Sequence, residues 1–238
     1  MTKKIGIEIN GVLRDTIEKF KQIYQKHLVD YNDVEIVDKT YELEFSGETT
    51  EVDTMVENTN LKPFKYEILS DVNSLDLKNH FSFQSDEELY SFMYEEFTME
   101  LFGHAPSTEM NTFNVLNDFY YELRDNYDIL ILSDEIGKSK PASLFFLAKF
   151  GCLIEKILFY SQVTKNNIWD EVDILLTANP TLLLEKPEGK MVIKFNRDYN
   201  KQIESEYEIN SLSEFKEVLE KIKEYVWNSK RKLLFGFG

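Results

Sequence analysis

The stretch of sequence that decides the fold lies near the start of the chain. It runs from residue 5 to residue 16 and reads Ile5-Gly6-Ile7-Glu8-Ile9-Asn10-Gly11-Val12-Leu13-Arg14-Asp15-Thr16. Its first half is rich in isoleucine, which favours a strand, and the pair Asn10-Gly11 is typical of a tight turn because both residues tolerate positive φ. A helical pattern extends from Asp15 to about Leu28. We therefore expect a strand over Lys4 to Ile9, a turn and a helix.

Four further apolar runs predict strands later in the chain. They are Tyr127 to Leu132, Lys156 to Tyr160, Asp173 to Thr177 and Met191 to Phe195. Helix signals lie between and after these runs. They are a periodic run from Ser139 to Phe150, Asn179 before Pro180, and, after the last run, Ser211 with Glu214 as a capping box. This alternation predicts an α/β fold built on a parallel, five-stranded sheet.

The first two predicted strands are separated by more sequence than a simple crossover needs. Over a hundred residues lie between Thr16 and Asn126, whereas a βαβ unit needs roughly 30. Most of this insertion has helical patterns, including one helix predicted from a capping box at Ser85 to about Phe102, with two strand-like pieces at Glu35 to Val37 and Tyr41 to Phe45. We expect a core formed by residues 1–16 and 107–228, an inserted cap domain over 17–106, and a basic then apolar tail over 229–238.

Composition excludes several classes of function. The 238 residues include 27 basic and 43 acidic side chains, for a net charge of −16, so we expect neither nucleic acid nor an anionic membrane as a partner. No apolar run has the length of a membrane span, and the start does not resemble a signal peptide. The single Cys152 predicts a chain of a reducing compartment, which we expect to be the cytoplasm. The three histidines have no Cys or His partner at zinc-ligand spacing.

The opening stretch resembles the first motif of the haloacid dehalogenase superfamily, a strand that ends in Asp-x-Asp-Gly-Val-Leu-x-Asp-Thr. Later segments fall in the order of the other motifs: Ser133, then Lys138 or Lys140, then the region from Asp173 to Pro180. The region from Lys186 to Asn200 resembles the nucleotidase-like branch. The resemblance implies a Rossmann-like core with its site at the carboxyl ends of the strands. It covers about residues 1–16 and 127–200, and none of the inserted cap.

The residues at the motif positions depart from the family's chemistry. Family phosphatases attack with the first Asp, and here the position holds Glu8; the second Asp transfers a proton, and here it is Asn10, which cannot do so near neutral pH. The acidic metal-binding positions match Thr177, Ala178 and Asn179. We therefore expect no metal or other cofactor, with Glu8 the one candidate ligand, and a weak phosphate or anion site at Ser133 and Lys138 or Lys140.

These changes leave alternatives. We favour a catalytically degenerate protein that binds or inhibits a partner. Two others stay open: a divergent Mg²⁺-dependent phosphohydrolase of the 5′-nucleotidase kind, and a binder that sequesters a nucleotide. Glu8 could also serve only as an ion-pair partner of Lys140.

A partner is suggested by a second resemblance. The opening stretch is similar to that of the inhibitor of the prohead maturation protease in T4-like phages, which implies a protein partner, either that protease or the immature capsid, in the cytoplasm of an infected host. The segment from Tyr41 to Glu57 contains six acidic residues and no basic one. It could attract a basic partner, but we favour a solvated loop.

Overall fold

The computed structural model describes residues 2–30, 64–134, 137–161 and 163–224. Three features from the sequence lie outside these residues: the two strand-like pieces at Glu35 to Val37 and Tyr41 to Phe45, the acidic segment from Tyr41 to Glu57, and the tail over 229–238. Expectations about them stay predictions.

The described core is built on one parallel sheet. Its strands are β1 (Lys3–Glu8), β2 (Tyr127–Ser133), β3 (Ile157–Phe159), β4 (Ile174–Thr177), β5 (Met191–Phe195) and β6 (Tyr207–Ile209), in the order β3-β2-β1-β4-β5-β6. In the register of the central strands, Ile7 lies opposite Ile131 on β2 and Leu176 on β4. The α/β class and the five predicted strands are confirmed.

The predicted strand count was wrong, because the sheet has six strands. The additional strand β6 pairs only with β5 and therefore forms an edge of the sheet. It is three residues long, and its central residue Glu208 points to solvent. An edge strand needs a single buried face, so this short segment lacks the continuous apolar run that identified the others.

Helices cover the sheet and build the inserted region. They are α1 (Thr16–Tyr24), α2 (Asp86–Ser91), α3 (Thr112–Leu123), α4 (Ser139–Lys149), α5 (Ile168–Glu171), α6 (Pro180–Leu184) and α7 (215–224). The single helix expected from Ser85 to Phe102 is interrupted: π-helical turns occupy Phe92–Glu96 and Met99–Gly103. Among the described residues, the helices are all too short or too polar to cross a membrane.

Apolar side chains form separate clusters on the two sides of the sheet and in the inserted region. Along β2, Ile129 and Ile131 belong to one cluster, whereas Leu130 and Leu132 belong to another. This alternation explains why β2 is apolar throughout. A third cluster combines α1 with aromatic residues of the insertion, including Phe81 and Phe92. The insertion thus has its own core, while its predicted domain bounds stay a prediction.

The topology determines where polar strand ends meet. Because β1 lies between β2 and β4 and all three are parallel, their carboxyl ends share one edge of the sheet. Glu8 ends β1, Ser133 ends β2 and Thr177 ends β4. Open α/β sheets bind ligands at such an edge.

Gly11 offers a test of how tightly the turn after β1 is packed. A Cβ atom there would lie 2.1 Å from the Tyr199 hydroxyl oxygen and 2.7 Å from the Ala178 Cβ, at a φ of +79°. Gly189 has nearly the same φ, +80°, with no atom within 4 Å of its added Cβ. We expect Gly189→Ala to cost about 1–2 kcal/mol through its backbone alone, and Gly11→Ala to cost about 1–3 kcal/mol more through overpacking.

Urea unfolding of both variants measures this difference. Equal losses of stability would mean that Tyr199 moves aside freely, and would contradict the close packing of the turn.

Candidate functional site

Glu8 is buried at the end of the central strand, with 1% of its surface exposed. Its Oε1 accepts a hydrogen bond from the hydroxyl of Tyr160, and its Oε2 accepts one from Thr177 Oγ1. Tyr160 follows β3 and Thr177 ends β4. Both carboxyl oxygens are therefore held by hydroxyl groups from the carboxyl ends of two other strands, the adjacent β4 and the more distant β3.

The surroundings of Glu8 favour its neutral form. Burial raises the pKa of Glu8 from 4.5 to about 8, and the nearby charge of Asp134 adds to the effect, while hydrogen bonds from Thr177, Tyr160 and Asn179 oppose it. Burial and the proximity of Glu8 also raise the pKa of Tyr160 well above its usual range. At pH 7 we expect a protonated Glu8, whose O–H would donate to one of the two hydroxyl oxygens.

Asn10 is fixed from both sides of its amide group. Its Nδ2 donates to Asp134 Oδ1 at 2.5 Å. Its Oδ1 accepts from Arg14 Nη2 at 2.6 Å, from Arg14 Nε at 3.0 Å and from Thr16 Oγ1 at 2.7 Å. An amide can donate to Asp134 and accept from Arg14 and Thr16 at the same time. An Asp at this position would instead put a second carboxylate against Asp134. Asn10 is thus matched to its neighbours in this chain.

Arg14 connects this site to the rest of the molecule and was not identified from the sequence. The side chain is fully buried. Its Nη1 donates to the Phe102 carbonyl oxygen at 2.8 Å and to Ser143 Oγ at 2.6 Å. The guanidinium carbon lies 5.0 Å from the ring centre of Phe102 and 5.3 Å from that of Phe146. One cation therefore joins the turn after β1, the inserted region and α4.

A cavity of about 290 Å³ opens above these residues. The sheet edge contributes Glu8, Asn10, Asp134 and Asn179 to its lining, and α1 begins beside it with Asp15 and Thr16. The inserted region contributes apolar and aromatic side chains to the lining: Ile17, Leu75, Leu77, Met93, Tyr94 and Phe102. Among the described residues that line it, there is no Lys, Arg or His.

The residues expected to bind an anion are not brought together in this cavity. Ser133 is fully buried, and Lys138 and Lys140 are exposed; none of the three lines the cavity. Lys140 Nζ lies 5.5 Å from the ring centre of Phe159. The described residues show no ion pair between Lys140 and Glu8, because the Glu8 carboxyl contacts Tyr160 and Thr177 instead.

The residues at the acidic motif positions have structural tasks, and their donors do not fit Mg²⁺. Thr177 binds Glu8, Ala178 is buried, and Asn179 Oδ1 caps α6 by accepting from the Thr181 N–H at 3.0 Å. Mg²⁺ prefers carboxylate oxygens in octahedral geometry. Burial raises the pKa of Glu8 and so favours its neutral form, and no group of three His, Cys, Asp or Glu side chains in the described parts of the chain could hold a metal.

The sequence carried signals for some of the missed residues. Asp134 directly follows the apolar strand β2, the same signal that identified Ser133. Tyr160 follows β3 in the same way. Tyr199 lines the cavity, and burial raises its pKa. It lies in the region that resembles the nucleotidase-like branch, but the sequence predicted no role for it.

Comparison with known proteins adds a likeness of fold. No family model and no curated protein sequence matches the chain. A haloacid dehalogenase-like hydrolase from Burkholderia xenovorans LB400 superposes with a TM-score of 0.50 at 8% sequence identity, over 90% of this chain and 95% of that one. The chain has the fold of these hydrolases. At such low identity the likeness concerns the fold alone.

Two structures of a dehalogenase also superpose, one of them with an intermediate complex. Their TM-scores are 0.42 and 0.45 at 11% and 12% identity, again over 90% of this chain and 95% of theirs.

The raised pKa of Glu8 predicts a dependence of stability on pH. Because the folded chain favours protonated Glu8, the stability present below pH 4.5 is lost as the pH rises toward 8, at up to about 1.4 kcal/mol per pH unit. Glu8→Gln imitates the protonated group and removes this loss. Urea unfolding between pH 5 and 8 should show that the free energy of unfolding of the wild type falls with rising pH relative to that of Glu8→Gln.

The exposed Glu155 provides the matched control for this measurement. Glu155→Gln should follow the wild type across the pH range. If the free energies of unfolding of the wild type and Glu8→Gln changed in parallel with pH, burial would not raise the pKa of Glu8 and this argument would be wrong.

Proposed function

We propose that this chain is a catalytically degenerate protein with a haloacid dehalogenase-like fold, and that it acts by binding a partner. One observation carries the proposal. The carboxyl group at the nucleophile position, that of Glu8, is buried, and its two oxygens are hydrogen-bonded to the hydroxyls of Tyr160 and Thr177.

This arrangement opposes each step of phosphoryl transfer through an aspartyl-phosphate type of intermediate. A carboxyl nucleophile must be ionised and free to approach phosphorus, whereas Glu8 favours the neutral form and its oxygens are occupied. Asn10 cannot serve as the acid or base, and its amide is committed to Asp134 and Arg14. The Mg²⁺ that would neutralise the phosphate lacks suitable donors among the described residues.

The cavity lining also disfavours the nucleotide-related alternatives. A bound phosphate monoester carries about two negative charges, and the described lining offers carboxylates without a basic side chain. A divergent nucleotidase and a nucleotide-sequestering binder would both need such a group. One feature still favours the phosphohydrolase, since Glu8 does reach the cavity lining.

A phosphatase assay tests the proposal directly. The full chain would be incubated with nucleoside monophosphates and other phosphomonoesters, with and without Mg²⁺, beside Glu8→Gln. We expect no turnover above the background of Glu8→Gln, because Glu8 cannot act as a nucleophile. Mg²⁺-dependent turnover that disappears in Glu8→Gln would establish an enzyme and overturn the proposal.

For the partner, we propose a protein, with the prohead maturation protease or the immature capsid of a tailed phage as the candidate. Support comes from the resemblance of the opening stretch. The net charge of −16 adds to it, because it favours a basic partner over nucleic acid.

Addition of the chain to a purified prohead protease of this kind should slow the cleavage of a peptide substrate in proportion to its concentration. Chain denatured by heat and cooled serves as the control. Unchanged cleavage at a large excess of chain, with no complex on size-exclusion chromatography, would contradict this choice of partner.

A further inference from the structure

We propose that the cavity between the sheet edge and the insertion binds a compact, uncharged small molecule with an apolar body and one hydrogen-bond acceptor, and that the hydroxyl of Tyr199 donates to this acceptor. The site goes beyond the proposed function, which concerns a protein partner. The two share one premise, a neutral Glu8, and different measurements test them.

The hydroxyl of Tyr199 faces the cavity without a partner in the protein. Tyr199 lines the cavity, and its hydroxyl oxygen would be 2.1 Å from a Cβ atom added at Gly11, another lining residue. Two buried side-chain polar atoms of the described residues lack a hydrogen-bond partner, Thr98 Oγ1 and Arg197 Nη2. The Tyr199 hydroxyl also makes no hydrogen bond with the described residues, yet it is not one of these buried atoms. It is therefore open to the cavity.

This hydroxyl is a donor at neutral pH. Burial raises the pKa of Tyr199, and nearby acidic groups raise it further, while Arg197 opposes the effect. The phenol therefore keeps its proton at pH 7 and can donate to a carbonyl or ether oxygen. A ligand with such an oxygen would supply the hydrogen bond that the protein does not.

The charged groups around the cavity offset one another. Two carboxylates line it, Asp15 and Asp134, whereas the guanidinium groups of Arg14 and Arg197 lie outside the lining. Arg197 Nη1 is 3.9 Å from Asp15 Oδ2. Arg14 and Asp134 are joined through the amide of Asn10, which accepts from the first and donates to the second. An ion that enters would thus give up hydration without finding a charge of opposite sign reserved for it.

The inserted region suits the apolar body of such a ligand. Its contribution to the lining includes Leu75, Leu77, Met93 and Tyr94. The ring of Phe102 also lines the cavity, but the Arg14 guanidinium carbon lies 5.0 Å from its centre, so the ligand packs mainly against the other side chains. The volume of about 290 Å³ is at the lower end of small-molecule sites, near 300 Å³. The ligand must therefore be compact.

Glu8 also lines the cavity, but it does not compete with Tyr199 for the ligand. Burial favours the neutral form of Glu8, and its two oxygens are hydrogen-bonded to the hydroxyls of Tyr160 and Thr177. Hydrogen bonding to the ligand therefore falls to Tyr199.

Three probes of similar shape test the charge preference: the neutral ketone phenylacetone, the anion phenylacetate and the cation phenethylamine. Each would be titrated into the full chain at pH 7 and followed by NMR of ¹⁵N-labelled protein. We expect phenylacetone to bind at least about tenfold more tightly than either ion, because only the ions must give up hydration of a charge. Phenylacetone that does not bind, or an ion that binds as tightly, would overturn the proposal.

Tyr199→Phe tests the hydrogen bond, and the fold should tolerate it because the hydroxyl has no partner among the described residues. The hydrocarbon 2-methyl-3-phenylpropene, in which a CH₂ group replaces the carbonyl oxygen of phenylacetone, serves as the second probe. We expect Tyr199→Phe to weaken phenylacetone at least about fivefold and to leave the hydrocarbon unaltered. Tyr121→Phe, an exposed tyrosine on α3, should change neither. Equal effects of Tyr199→Phe on the two probes, or none on phenylacetone, would overturn the proposal.

Thr181→Trp locates the binding. Thr181 lines the cavity and is partly exposed, so an indole there should fill the cavity while the fold persists, which the NMR spectrum of the variant checks. We expect it to abolish the binding of both phenylacetone and the hydrocarbon. Binding of phenylacetone that survives in a folded variant would occur elsewhere and would overturn the proposal.

The phosphatase assay on the same preparations separates this inference from the proposed function. Turnover of a phosphomonoester that is lost in Glu8→Gln refutes the proposed function. Absence of turnover, together with phenylacetone binding that does not depend on the Tyr199 hydroxyl, refutes the present inference alone.

Discussion

The buried carboxyl of Glu8 is the constraint on which the site depends. A carboxyl group without water is costly unless it is neutral or its oxygens are hydrogen-bonded. Here the hydroxyls of Tyr160 and Thr177 hold both oxygens, and the neutral form is favoured. The same contacts join the ends of three strands. The contacts that hold this edge of the sheet together therefore also occupy both carboxyl oxygens of Glu8.

A second constraint couples this edge to the inserted region. Arg14 is fully buried and reaches Asn10, Phe102 and Ser143 at once. A buried guanidinium must keep its acceptors and its aromatic neighbours in place to offset the loss of hydration. The wall of the cavity that Phe102 supplies is thus fixed relative to the strand ends, and the cavity has a defined shape.

Much of the fold could be predicted because buried parallel strands read as apolar runs. β2 and β4 are covered on both faces, so each forms a nearly continuous apolar run that can be recognised in the sequence. β6 was missed because an edge strand buries one face and needs few apolar residues. The helix expected from Ser85 to Phe102 was wrong in detail, since periodicity does not reveal the π-helical turns at Phe92–Glu96 and Met99–Gly103.

The sequence by itself determined the α/β class, five of the six strands, and the placement of Glu8 and Asn10 at the end of the first of them. Those features follow from local patterns and from a motif of a few residues. The state of Glu8 was decided only by the tertiary structure, because Tyr160 and Thr177 lie 152 and 169 residues away along the chain. Burial and the pairing of Asn10 with Asp134, 124 residues apart, likewise depend on which strand ends become neighbours, and no local pattern encodes that.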